Sequence, residues 1–99
     1  MATLHVLSHS PFADTRLESC LRLLGRDDGV VLCGDATYAL TPSCAPLKSL
    51  QPLADSLQLF VLDEDFKARN LPLPAGVNSI DYPAFVELSL RFDKVNTWL

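Results

Sequence analysis

A chain of 99 residues, 48% of them apolar, has material for one small hydrophobic core, which buries roughly 60–70% of the surface its unfolded form exposes. Its formal net charge of −4 and pI near 4.8 argue against a nucleic-acid-binding surface, since the lysines and arginines are scattered from Arg16 to Lys94 without forming a basic run. The first seven residues lack a basic n-region and the longest apolar stretches, such as 57–62, are strand-length, so no signal peptide and no membrane span is expected, and the chain is expected to be cytoplasmic.

Thr3–Leu7 reads as a short buried strand, followed by a turn-rich connection through Asp14 that contains Pro11. Thr15 and Glu18 stand at capping-box spacing, with Asp14 as a competing cap. They open a helix whose apolar positions Leu17, Cys20, Leu21 and Leu24 recur at helical period until Gly25 stops it. Val30–Leu32, bounded by Asp28-Gly29 and Gly34-Asp35, has the unbroken apolar character of a parallel strand buried on both faces. Ala36–Leu40 reads as a helical turn or an extension. Leu47, Leu50, Leu53 and Ala54 suggest a short helix disturbed by Pro52.

The run from Leu57 to Leu62 is the strongest strand candidate, and Asp63 is placed to cap a helix through Phe66 to about Asn70. Leu71-Pro72-Leu73-Pro74 is an extended connection, because each residue before a proline avoids the helical region. Val77–Ile80 is a short strand. Asp81 caps a last helix that tolerates Pro83 in its first turn and buries Phe85, Leu88, Ser89 and Phe92. Val95–Leu99 is a tail or a last short strand. Strands alternating with helices predict a small α/β domain over residues 1–99, a flavodoxin-like parallel sheet with right-handed crossovers and helices on both faces.

In such a sheet ligands collect at the carboxyl ends of the strands. Those ends carry Ser8-His9-Ser10, Cys33-Gly34-Asp35 and Asp63-Glu64-Asp65, and none is a glycine-rich phosphate loop, so no nucleotide or other cofactor is expected. His9 could carry a proton or simply pack on Pro11 or Phe12, whereas His5, inside a strand, reads as a hydrogen-bonded core or interface residue. The three consecutive acids suit the positive end of a helix better than a metal site. Three cysteines at wide spacing form neither a disulfide framework nor a zinc motif, so free reduced thiols and no metal are expected. A sulfur-carrying thiol must be exposed and have a lowered pKa. Cys20 lies on the apolar stripe of the first helix, Cys33 ends a strand beside Asp35, and Cys44 stands near a helix start, so the residues by themselves name no nucleophile.

Leu4-His5-Val6-Leu7 running into Ser10-Pro11-Phe12 resembles the opening of TusB/DsrH proteins. Ile80 to Leu88, read as Asp-Tyr followed by Phe-Val, resembles a later block of that family, and Trp98 its closing tryptophan. Val61 to Arg69 is similar to the family's third-strand block. Gly34-Asp35 departs from it, since relatives often carry an acid followed by glycine at that turn. The resemblance implies a DsrE-like fold and an accessory subunit of a heteromeric sulfurtransferase of the sulfur relay, serving wobble-uridine 2-thiolation of tRNA or the related sulfur-oxidation pathway. It implies TusC/DsrF-like and TusD/DsrE-like sister subunits in a hetero-hexamer, a TusA-like donor and a TusE/DsrC-like acceptor, with no direct contact to nucleic acid or membrane. The principal sulfur-carrying cysteine of that complex sits on the TusD/DsrE partner. Leu17-Glu18-Ser19-Cys20-Leu21 is similar to the sulfur-oxidation form, DsrH, which has a cysteine at this position, and this makes Cys20 the candidate persulfide carrier. The competing expectations are a self-sufficient sulfurtransferase working through Cys20 and a stand-alone flavodoxin-type ligand-binding domain.

Overall fold

The apolar runs of the sequence become a five-stranded sheet in the computed structural model, which describes residues 2–13, 15–56 and 58–98. The strands are β1 (Thr3–Leu7), β2 (Gly29–Leu32), β3 (Leu59–Leu62), β4 (Asn78–Ile80) and β5 (Lys94–Trp98). Their order in space is β4-β3-β2-β1-β5, and every neighbouring pair is parallel. The expected α/β architecture is therefore present. Flavodoxin order is 2-1-3-4-5. The same five positions are filled here, but the edge beside β1 is taken by the last strand instead of the second.

That order dictates where the helices lie. From β1 to β4 the chain steps one place at a time in one direction, so right-handed crossovers put α1 (Arg16–Leu23), the 3-10 helix Gly34–Leu40 with α2 (Ala45–Asp55), and α3 (Asp63–Ala68) on one face. The return from β4 to β5 spans the sheet the other way, so α4 (Tyr82–Arg91) lies on the opposite face. Alternation along the strands feeds two cores. Leu7, Val30, Leu32, Leu59 and Val61 pack with Leu17, Cys20, Leu50 and Phe66 on the first face. Leu4 and Val31 pack with Leu88, Phe85 and Phe92 on the second.

Several local expectations are corrected. Thr15 precedes α1, but its ψ of 15° departs from the extended conformation of a capping residue, and its side chain makes no capping hydrogen bond. The capping box with Glu18 therefore does not form. The alternative cap Asp14 lies outside the described residues, as does Leu57; β3 begins at Leu59. Asp63 is the first residue of α3 instead of its cap, and Leu62 holds the cap position without a side-chain bond. Helix α2 continues through Pro52 to Asp55, because Leu50 and Ala54 bury its inner face and the Cys44 thiol caps its start by accepting from the Leu47 N–H at 3.4 Å. Asp81 caps α4 as expected, accepting from the Ala84 N–H at 2.9 Å. The tail is a full strand, paired with β1 from Thr3↔Lys94 to Leu7↔Trp98. Gly76 turns the chain into β4 with φ +85°, and its bare Cα lets the backbone pass against Ala54, whose carbonyl oxygen would lie 2.6 Å from any Cβ there. Among the described residues no helix is long and apolar enough to cross a membrane.

Candidate functional site

Strand alternation turns His5 toward α1, on the same side of the sheet as Leu7 and Trp98. His5 is only 5% exposed, so both ring nitrogens need partners. Trp98 reaches back along β5, and its indole Nε1–H donates to His5 Nδ1 at 3.1 Å, with the ring centroids 6.2 Å apart. An indole nitrogen can only donate, so Nδ1 is an acceptor and the neutral ring carries its proton on Nε2. Nε2 faces the Asp28 carboxylate at 3.3 Å. Asp28 in turn accepts from the Thr3 N–H and the Gly25 N–H, each at 2.8 Å, and thereby ties the start of β1 and the end of the α1 region to the entry of β2. Burial pushes the Asp28 carboxyl up, but the bonds from Gly25, Thr3 and His5 outweigh it and hold the group below the usual carboxylate range.

Cys20 stands beside this network. It is fully buried on the α1 stripe, and burial, with the Asp28 charge adding to it, pushes its thiol up to about 12. The residue nominated as persulfide carrier is therefore a neutral thiol inside the core. Cys33 is half-buried, donates from Sγ to the Leu7 carbonyl at 3.3 Å, and is also raised, by burial and by Asp65. Cys44 is engaged at the start of α2, where its thiol also donates to the Ala39 carbonyl at 3.4 Å. All three are free cysteines. His9 is exposed on the loop after β1.

At the carboxyl edge of the sheet the charged residues satisfy one another. Asp63 accepts from the Ser79 hydroxyl at 2.8 Å and pairs with Lys67 at 3.0 Å. Asp65 accepts from the Gly34 N–H at 2.7 Å. Arg69 pairs with Asp35 at 2.8 Å and lies 5.6 Å over the Tyr38 ring. The acids thus join α3 to the turn after β2 and to β4, a role that spacing along the chain does not reveal. Among the described residues no group of His, Cys, Asp and Glu is arranged to hold a metal. A cavity of about 60 Å³ lies between α1 and α2, floored by Pro11, Leu17, Leu21, Ala45 and Pro46. The residue that sequence reasoning missed is Asp28. Beside Gly29 it reads as a turn former, and nothing in the pattern separates it from exposed Asp27.

The profile of the family described as "DsrH like protein" matches residues 9–95. Comparison with curated proteins gives no match. Among solved structures, the crystal structure of the ychN protein from E. coli superposes with a TM-score of 0.80 at 21% identity, covering 99% of this chain and 100% of that one, a likeness that speaks for the fold. His5 and Trp98 lie outside the matched span, and Cys20 lies within it. A family match over most of the length, on an all-parallel sheet of the same architecture, establishes that this chain belongs to the DsrH-like family of sulfur-relay subunits.

Proposed function

We propose that this chain is a non-catalytic accessory subunit of a heteromeric sulfurtransferase of the sulfur relay, acting in tRNA wobble-uridine 2-thiolation or in the related sulfur-oxidation pathway. The observation that carries the reading is the state of Cys20. In a relay step a thiolate attacks the outer sulfur of a persulfide, the sulfur–sulfur bond of the donor breaks, and the donor leaves as a thiolate. A fully buried thiol held up near 12 offers neither the charge nor the access that this attack needs. The persulfide is then carried by a TusD/DsrE-like sister subunit, with a TusC/DsrF-like subunit completing the hexamer, a TusA-like protein delivering sulfur and a TusE/DsrC-like protein accepting it. Surface composition supports an assembled life. Tyr82, Val86 and Leu90, four residues apart on α4, are exposed, as is Val95 on the neighbouring strand.

The test has two readouts. Incubated with a low-molecular-weight persulfide donor, the isolated chain is expected to gain no mass of one sulfur atom on Cys20. In the reconstituted complex, Cys20→Ser is expected to leave assembly intact and sulfur transfer only modestly reduced. Complete loss of transfer with assembly unchanged would make Cys20 the carrier and overturn the reading.

A further inference from the structure

We propose that His5 and Trp98 form a pH-sensitive latch that fastens β5 to the rest of the sheet. The latch rests on one geometric fact: among the described residues, the acceptor for the Trp98 indole N–H is the His5 Nδ1 lone pair, 3.1 Å away. When a solvent proton takes that lone pair, the ring becomes an imidazolium with an N–H at both nitrogens. Two donors then face each other across a contact that is largely closed to water, and the bond that holds the end of β5 is lost. Nε2 keeps its place against Asp28 throughout, so the change is confined to the Trp98 side.

The surroundings of His5 make the response specific. The turn before β2 contributes Asp28, whose carboxylate lies 3.3 Å from Nε2. Helix α1 contributes Cys20, whose thiol is held neutral by burial, with the Asp28 charge adding to it. Strand β2 brings Val30 opposite the ring, and β5 brings Asn96. Lys94, further along that face of β5, is exposed to solvent. The ring's hydrogen-bond partners are Asp28 and Trp98.

What the latch holds is an edge. Residues 94–97 of β5 are all exposed, and the strand has β1 as its single neighbour in the sheet. Loss of the Trp98 bond frees the last register pair, Leu7↔Trp98, first. Acid therefore loosens the strand from the end that carries the tryptophan, while the ladder nearer Lys94 stays closed.

The chain has a single tryptophan and two histidines, which makes the idea directly readable. Tryptophan emission of the full chain is followed from about pH 8 to pH 5, the interval in which an imidazole changes charge. Expected is a red shift in one protonation step, with the far-UV circular dichroism unchanged, and loss of exchange protection of the indole N–H in the same step. His5→Gln, whose amide can accept from Trp98 and donate to Asp28 without titrating, is expected to abolish the step. His9→Gln is expected to keep it. A flat emission profile in the unmodified chain, a step that survives in His5→Gln, or one that coincides with loss of the circular dichroism signal would each overturn the latch.

Discussion

A carboxylate held by three donors and a thiol held away from water make opposite demands on pH, and both sit within the same few residues. Asp28 has a lowered folded-state pKa, so its contribution to stability is complete above the unfolded value of 3.8 and is lost as pH falls through the lower folded value. Cys20 runs the other way. Its folded-state pKa is raised from 9.0 to about 12, so the unfolded chain gives up the proton first. Its contribution is fully present below 9.0 and is lost as pH rises toward 12. The unmodified chain should therefore lose stability more steeply above pH 9.0 than Cys20→Ala, by up to about 1.4 kcal/mol per pH unit. Urea unfolding of both proteins at several alkaline pH values isolates the effect, because every other titrating group, the raised Cys33 included, cancels in the difference. Parallel stability curves for the two proteins would show that Cys20 ionises as freely in the fold as out of it.

The helices separate what pattern can reveal from what it cannot. Thr15 and Asp81 both precede apolar-periodic segments and both read as caps, yet only Asp81 accepts a hydrogen bond, from the Ala84 N–H. Asp81→Ala is expected to cost about 1 kcal/mol of unfolding free energy. Thr15→Ala is expected to stay within about 0.5 kcal/mol of the unmodified chain, as an exposed substitution without a partner does. Equal costs in chemical denaturation would mean that Thr15 caps α1 in solution. The buried strands were legible because Val30–Leu32 and Leu59–Leu62 are apolar at successive positions, which only a strand covered on both faces requires. Helix α2 was half legible, since Pro52 argues against a helix and only the burial of Leu50 and Ala54 carries it through. Strand β5 was hardly legible at all. Lys94, Val95, Asn96 and Thr97 are exposed and lack a clean apolar pattern, and the strand exists because the crossover through α4 delivers it to β1. The same holds for the candidate site. His5 could be read as a hydrogen-bonded residue, but its partners Asp28 and Trp98 are 23 and 93 residues away, a separation that no local spacing encodes.

At the scale of the whole molecule, β5 closes one edge of the sheet and brings residues from the two extremes of the described chain into register. Removing everything after Val95 deletes the partners of His5, Val6 and Leu7 in that ladder and takes away the indole that covers His5. The central strands and both cores keep their other members, so the truncated chain should still show its helix signal in water. Its urea midpoint should fall clearly, because the indole hydrogen bond to Nδ1 of His5 is lost, at about 0.5–1.5 kcal/mol, and the apolar contact of Trp98 with the first core is lost as well. Trp98→Phe divides the two contributions, since a phenyl ring preserves much of the packing and removes only the donor. The expected order of stability is unmodified chain, then Trp98→Phe, then the truncation. If Trp98→Phe matched the unmodified chain, the indole hydrogen bond would contribute nothing and packing alone would hold β5. If the truncated chain kept full stability but failed to co-purify with the sister subunits proposed above, Trp98 would belong to an interface instead of to the fold that the His5 bond describes.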